Sequence, residues 1–515
     1  MVDPMTKGWA SDNMLEAPPL QRWNREFEAS FMRVAVIGGG IAGLAAAYEL
    51  EKARAADPSV SYTLFESRDR LGGSLASEIV QGNVLERGPD SFITEKPAAA
   101  ELCRELGLGT DLIPSNDAAR KTWIVVKNRL VALPDGLMFL VPTRLVPTAL
   151  TPLFSLGTKI RMGLELLHPP RPSTKDESVA ALVERHFGAE AVDRLADPLL
   201  SGIYGGDASQ LSARTVLPKL VEMEAEYGSL SRGMLAAHKK MRAAMAARAR
   251  NDGISQTRPS TPRGIFTTLR FGLQQLVDAL TERLNLSSVR LNTSVDEIEK
   301  TAVGWRIRVS GAMEAFDTLI IASPAWAAAA MLHTADEKLS QELAGIPYSS
   351  SITLNLVYDE SQLGTLPEGF GFLVPASSGR AMLACTFAHR KFLGRTAPGK
   401  AVLRAFLGGM RNEQLMGEPD EILLATVQRE LSEILGKDVI GCEVRPEIVQ
   451  VNRWRRAMAQ YAVGHKDRME RIRMRVAALP GLYLVGNAYD GIGIPDCIRL
   501  GRQAAKGATT AVVSA

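Results

Sequence analysis

Residues 33–37 (RVAVI) form a short, uninterrupted apolar run that ends directly on Gly38, Gly39, Gly40, Ile41, Ala42 and Gly43. Such a run suits a strand covered on both faces of a parallel sheet. Residues 41–54 follow as an alanine-rich helix, and after a polar connection residues 62–66 (YTLFE) read as a second strand. Strand, glycine turn, helix and strand in this order predict a right-handed βαβ unit. Within the G-x-G-x-x-G pattern, Gly38 permits the tight turn, Gly40 lets the backbone approach a pyrophosphate and Gly43 allows close helix packing. The helix N-terminus offers its free N–H groups to the anion. Glycine turns are common, so the weight comes from Glu66, which stands 66 minus 43, or 23, residues past the last glycine. At the end of a second strand a carboxylate there accepts hydrogen bonds from the ribose hydroxyls. A surface glutamate capping a strand is the plainer alternative, but it leaves the joint register of all four features unexplained.

The 515 residues are 46% hydrophobic and 23% charged, enough to bury a large core spread over two or three domains. Lysine and arginine number 60 against 57 aspartates and glutamates, a surplus too small to favour a nucleic-acid partner. Cys103, Cys385, Cys442 and Cys497 lie far apart with no C-x-x-C spacing, and the six histidines include no H-E-x-x-H. Neither a disulfide framework nor a metal site is suggested, and a reducing cytoplasm fits. Residues 1–31 contain no apolar run able to serve as a signal peptide and are set aside as a loose extension.

Residues 98–204 turn helical and apolar, but prolines at 114, 134, 142, 147 and 152 interrupt every long stretch, so no bilayer-spanning helix can be drawn. Residues 133–167 carry many apolar side chains with Arg144, Lys159 and Arg161 among them. A membrane-surface lid would have this composition, and so would buried helices around a cavity. Residues 232–264 hold eight lysines and arginines against one acid, Asp252; a solvated loop is the ordinary reading, a seat for acidic substrate or lipid the minority one. A helix at 272–284 and strands at 288–295, 305–309 and 318–322 resume the first sheet. Strands at 352–358, 370–375, 381–387 and 401–407 suggest a largely antiparallel substrate domain, and a strand at 482–485 with a final helix returns to the first domain. The expected division assigns 32–97, 263–330 and 446–515 to cofactor binding, 98–204 to a helical lid, and 205–262 with 331–445 to substrate binding.

Residues 68–73 (RDRLGG) resemble the R-x-G-G motif that follows the ribose acid in FAD enzymes of the amine-oxidase and porphyrinogen-oxidase superfamily, which argues for FAD over NAD. A position often basic there is Ser74 here, so the phosphate contact falls to a hydroxyl or comes from elsewhere. Residues 86–91 (ERGPDS) are similar to the turn that passes beside the isoalloxazine ring in such proteins. Residues 485–487 (VGN) and 491–497 (GIGIPDC) resemble the C-terminal flavin motif, in which a helix N-terminus approaches the flavin and favours its reduced, anionic form. Residues 88–96 (GPDSFITEK), 197–207 (DPLLSGIYGGD) and 460–465 (QYAVGH) narrow the resemblance to the FAD-dependent porphyrinogen oxidases, bacterial soluble-type branch, over residues 32–515.

That resemblance implies an α/β fold: a Rossmann-like FAD domain, a mixed-sheet substrate domain and an inserted helical domain, with one non-covalent FAD per chain. Around the cofactor it implies the six residues from Gly38 to Gly43, then Glu66, Ser67, Gly73, Ser74, Gly88, Pro89, Asp90, Ser91, Val295, Trp454, Gly486, Ile492, Gly493 and Ile494. Around the substrate it implies Gly202 and Ile203 against the macrocycle, Phe387 stacked on a pyrrole ring, Leu373 completing an apolar wall and Lys96 pairing with a propionate. The apolar residues among these have an equally ordinary core-packing reading, and Lys96 alone would be read as solvated. His465 looks structural, and no catalytic acid or base stands out.

The implied activity is oxidation of coproporphyrinogen III, protoporphyrinogen IX or both to the aromatic porphyrin in heme biosynthesis. O2 would accept the electrons, and product hand-over to the next heme-pathway enzyme and peripheral membrane contact are compatible with it. An amine oxidase or carotenoid desaturase of the same superfamily is the alternative enzyme, although no aromatic cage can be identified. A non-catalytic porphyrin-binding flavoprotein is the alternative from another class.

Overall fold

The computed structural model describes residues 32–510 apart from 135, 139, 143, 172–174, 252–263 and 442; the extension at 1–31 and the end of the basic run lie outside the described residues. The expected βαβ unit forms at Met32–Ile37, Ile41–Ala56 and Val60–Phe65. Met32–Ile37 lies near the middle of a five-stranded parallel sheet, in the order Val289–Arg290, Val60–Phe65, Met32–Ile37, Thr318–Ile321, Leu482–Leu484. Its apolar run is explained by cover on both faces. On one face Ile41–Ala56 packs against the last helix, Ile494–Thr510, so closely that a Cβ at Gly501 would stand 2.1 Å from the Ala42 carbonyl oxygen. On the other an antiparallel meander, Val295–Lys300, Trp305–Val309 and Ala312–Phe316, contributes Trp305, Ile307 and Phe316 to a second core.

The substrate side is a seven-stranded mixed sheet ordered Ile448–Ala459, Tyr348–Asp359, Lys400–Gly408, Met382–Phe387, Gly371–Leu373, Thr122–Val126, Arg129–Ala132. Only the pairing of Gly371–Leu373 with Thr122–Val126 is parallel. Two expected boundaries shift. Residues 122–132 were expected within a helical lid, but TWIVV is β-branched and joins this sheet. Ile448–Ala459, expected with the cofactor domain, is the sheet's edge strand because it pairs along nearly its whole length with Tyr348–Asp359. The helical unit also runs past residue 204: Leu220, Leu230 and Met234 share one core with Val179, Leu182 and Leu195.

The sheet's two faces differ, and the pleat decides which side chain goes where. Phe372, Cys385, Phe387, Leu403 and Ala405 point to one face, where the helix Asp420–Leu435 covers them with Leu423, Val427 and Leu431. Leu373, Ala384, Phe406, Thr353 and Asn452 form a cross-strand row on the other. That second face looks toward the cofactor domain and the helix Asp197–Tyr204.

Candidate active site

Three glycine-bearing turns nest at the carboxyl end of the parallel sheet. Gly39 donates its N–H to Glu66 Oε2 at 2.7 Å, and Glu66 Oε1 accepts from the Arg68 N–H at 2.9 Å and from the Ser67 hydroxyl at 3.3 Å. Glu66 is buried, and Oε2, which accepts only from Gly39, retains a lone pair for a ribose hydroxyl. Gly43 sits where a Cβ would fall 1.9 Å from the Gly38 carbonyl oxygen, whereas a Cβ at Gly40 would meet nothing within 4 Å. Helix packing therefore restricts Gly43, and Gly40 faces open space in front of the helix that Ile41 and Ala42 begin. The second turn docks on the first: Gly72 N–H donates to the Gly39 carbonyl at 2.8 Å, and Gly73 lies against Gly40. Arg70 staples it by donating to the Leu71 and Leu75 carbonyls. The third turn is held by Gly88, whose Cβ would fall 1.8 Å from the Ser74 carbonyl oxygen.

The open space at Gly40 and the buried, partnerless Ser323 hydroxyl, two residues beyond the end of the strand Thr318–Ile321 and against Gly38, suit a dinucleotide. Two further predicted positions flank this cradle. Thr293 donates its N–H to the Glu66 carbonyl at 2.8 Å, which brings neighbouring Val295 to the ribose end. Gly486 follows Val485, whose N–H donates to Ile321 at 2.9 Å, beside the same strand ends. Ile492, Gly493 and Ile494 open the last helix, with the Gly493 carbonyl accepting from Asp496 and Cys497 N–H at 3.0 Å.

The turn 86–91 lies across the substrate sheet, which grips its consecutive carbonyls. Asn355 donates to Glu86 O at 2.9 Å, Thr353 and Trp454 to Arg87 O at 3.0 and 2.8 Å, and Arg404 to Gly88 O. Pro89 follows, half-buried. Asp90, expected against the cofactor, turns its carboxylate away. It pairs with Lys391 at 3.0 Å and takes the Ser91 hydroxyl at 2.6 Å, with Arg404 at 3.8 Å. Burial would raise the Asp90 carboxyl, but Lys391 and Arg404 reverse this and hold it below its ordinary value. Any backbone contact to the cofactor is left to the turn itself.

Gly202, with Ile203 beside it on the helix Asp197–Tyr204, lies against Leu373. Ile203 is 58% exposed, and a Cβ on Gly202 would touch Leu373 Cδ2 at 3.5 Å. Phe387 does not join them. It is fully buried on the opposite face of the sheet, edge-to-face with Phe372 at 6.2 Å, so no ligand can reach its ring. Beside Trp454, the site face carries a second half-buried aromatic, Phe406, which follows Leu373 and Ala384 in the cross-strand row and stacks on Arg404 at 4.9 Å. The signal was present in residues 401–408 (AVLRAFLG), where Arg404 and Phe406 alternate with small and aliphatic residues. Lys96 is half-exposed at the rim and already paired, its Nζ 2.6 Å from Asp496 Oδ2. Tyr204 lies 6.1 Å from the Tyr461 ring, whose hydroxyl accepts from Gly491 against Asp496, so the Lys96 pair stands near the end of the helix bearing Gly202; burial and, less strongly, the Asp496 charge push the Tyr204 phenol up to about 12.

Residues 460–465 act as a strut. Gln460 donates to the Tyr204 carbonyl at 2.7 Å, while the Tyr461 hydroxyl donates to Asn487 O and accepts from Gly491 N–H, both at 3.0 Å. His465 stacks on Tyr461 at 4.3 Å, and burial lowers its imidazole to about 4, so it is a neutral, structural ring. A second clamp escaped sequence reasoning: Arg411 holds Asp197 at 2.6 and 2.8 Å and Asp207 at 2.8 Å, fixing both ends of the DPLLSGIYGGD passage.

The chain matches the family model for flavin-containing amine oxidoreductases over residues 41–508. It is 33% identical to coproporphyrinogen III oxidase of Bacillus subtilis, covering 93% of this chain and 98% of that one. It is 27% identical to the chloroplastic protoporphyrinogen oxidase 1 of Arabidopsis thaliana, covering 90% and 85%. A crystal structure of a candidate protoporphyrinogen oxidase from Exiguobacterium sp. 255-15 superimposes with a TM-score of 0.79 at 32% identity, covering 92% of this chain and 98% of that one. Putrescine oxidase, at 17% identity and a TM-score of 0.64, shares the fold.

Proposed function

Because this chain belongs to the flavin-containing amine oxidoreductases, and within them to the porphyrinogen oxidases, we propose that it oxidises a porphyrinogen to the aromatic porphyrin with one non-covalently held FAD. The observation that carries this reading is a chain of contacts between the two halves: Gly202 lies against Leu373, Phe406 follows Leu373 and Ala384 in the cross-strand row and stacks on Arg404, and Arg404 grips the turn at Gly88, with Lys96 paired to Asp496 of the last helix. A porphyrinogen is an apolar, non-planar macrocycle edged by carboxylates, and a pocket apolar within and cationic at the edge complements it. Bound FAD would supply the sink for three hydrides, six electrons in all, with three O2 as final acceptors giving three H2O2. The three hydrides would leave meso carbons with pyrrole nitrogen providing the push, and the three accompanying protons, two net from pyrrole N–H and one from the fourth meso carbon, would pass to solvent, so the chain needs no strong base.

The chain's own part is to seat the ring, exclude water and hold the distance. Lys96 would exchange Asp496 for a propionate. Burial pushes the Cys497 thiol, inside the C-terminal flavin motif, up to about 12, and such a neutral thiol is a poor nucleophile for covalent attachment. The coproporphyrinogen III oxidases among the relatives favour the four-propionate substrate and a place in heme synthesis, and the widely spaced cysteines fit a reducing cytoplasm. No described helix is long and apolar enough to cross a membrane. Val146, Leu150, Leu156, Ile160, Leu164 and Leu167 are nevertheless each more than half exposed on one helical unit, which supports peripheral contact with a bilayer, with product passed to the next enzyme there.

The test is porphyrin fluorescence against time, in air, with each porphyrinogen offered separately and autoxidation subtracted. FAD-dependent growth is expected, with the higher kcat/KM for coproporphyrinogen III. No growth above the blank with either substrate overturns the reading, and co-flotation with anionic vesicles tests the membrane contact.

A further inference from the structure

Beneath the turn at Gly88 lies a buried charge cluster that the mechanism above does not use. Lys391, Arg395 and Arg404 face the carboxylates Glu86 and Asp90, three cations against two anions. Arg395 and Arg404 are 6% and 2% exposed, and the Nε of each has no partner. A cavity of about 20 Å³ among Glu86, Asp90, Asn355, Phe392, Arg395 and Arg404 has room for one water and no more. A buried positive excess is expensive unless something negative answers it.

Arg404 is the member in contact with both sides of the site. It donates to the Gly88 carbonyl, its guanidinium carbon lies 4.9 Å from the Phe406 ring centroid, and it stands 3.8 Å from Asp90. Gly88 is backed by the Ser74 carbonyl with no space for even a Cβ, so the turn cannot retreat from Arg404.

We propose that Arg404 is a positioning residue that ties the flavin-side turn to the aromatic wall of the substrate pocket and places an uncompensated positive charge behind that turn to favour flavin reduction. The inference rests on FAD occupying the nested turns, and it goes beyond the substrate assignment. A hydride brings one net negative charge to that side of the turn, and the cluster's excess charge answers it in a low-dielectric setting.

The experiment measures the flavin midpoint potential of the FAD-loaded protein by dye equilibration under slow enzymatic reduction, without any porphyrinogen. Arg404→Met removes the excess charge, and its potential is expected to fall, whereas Arg404→Lys keeps it near the parent value. Asp90→Asn removes an anion 3.8 Å from Arg404 while leaving the guanidinium in place, and should raise the potential. Opposite signs separate electrostatics from general damage, and Asp90→Asn serves if Arg404→Met fails to fold. With substrate, Arg404→Met should lower kcat about tenfold while KM moves less. An unchanged potential in both charge-removing variants, or shifts of the same sign, overturns the proposal. Because the readout needs no substrate, a failed porphyrinogen assay leaves it standing or falling on its own.

Discussion

Truncating two phenylalanines separately tests how the substrate sheet is facing. Phe387 and Phe406 lie on neighbouring strands but on opposite faces, Phe387 fully buried against the helix Asp420–Leu435 and Phe406 half-buried on the site side. Removing a fully buried phenylalanine ring leaves a cavity, so Phe387→Ala should cost about 3–5 kcal/mol of stability. Spread over a large domain, that lowers Tm by several degrees. Phe406→Ala removes an open ring already stacked on Arg404, so its stability cost is about 1–2 kcal/mol. Losing one aromatic face against the macrocycle weakens binding by about 1–1.5 kcal/mol, roughly a tenfold rise in KM. Thermal melts and initial rates on the two variants, each with FAD bound, supply the comparison. A Phe387→Ala protein with unchanged Tm and raised KM would refute the assignment of faces, as would a Phe406→Ala protein with parental KM.

Further expectations concern the cofactor cradle, the rim and the helical unit. Glu66→Gln removes the charge that Gly39, Arg68 and a ribose all address, so FAD should bind about ten- to a hundredfold more weakly by fluorescence titration of apoprotein. Gly88→Ala places a Cβ 1.8 Å from Ser74 O and should yield colourless, FAD-free protein; a yellow product would contradict the packing. Lys96→Met should raise KM more for a four-propionate than for a two-propionate porphyrinogen, with Lys96→Arg restoring it; equal effects on both would deny the carboxylate contact. His186 bridges the buried Glu165 and Glu224 at 3.0 and 3.2 Å. Burial opposes its charge, but the two carboxylates overcome that and raise its pKa, while theirs are lowered. The imidazolium's share of stability is therefore complete below the ordinary histidine range and lost as pH climbs through the raised value. The carboxylates' share is lost as pH falls through their lowered values. Melting should accordingly be highest between about pH 4.5 and 6.5, and His186→Gln should flatten the alkaline limb; an unaltered limb would rule out this contribution.

Local pattern alone carried the cofactor half of the molecule. The strand at 33–37, its glycine turn, the helix and Glu66 interact within 34 residues, so short-range sterics and hydrogen bonding leave one arrangement. The return of the chain at Leu482–Leu484 was legible from its short apolar run ahead of Gly486, although the strand forms an edge of the parallel sheet. The substrate half was legible only in outline. Whether Phe387 or Phe406 faces the site depends on which face the helix Asp420–Leu435 covers, and a one-residue change of parity exchanges the two. The strand 122–126 and its hairpin partner 129–132 joined a sheet whose other members begin more than 200 residues later, a pairing that no local signal announces. Charges were least legible of all. Lys96 and Asp496 meet across 400 residues, Arg411 finds Asp197 across 214, and Arg404 reaches Gly88 across 316. Each is an ordinary polar residue in sequence, and only the close approach of two domains, which removes water from between them, gives its charge something specific to do.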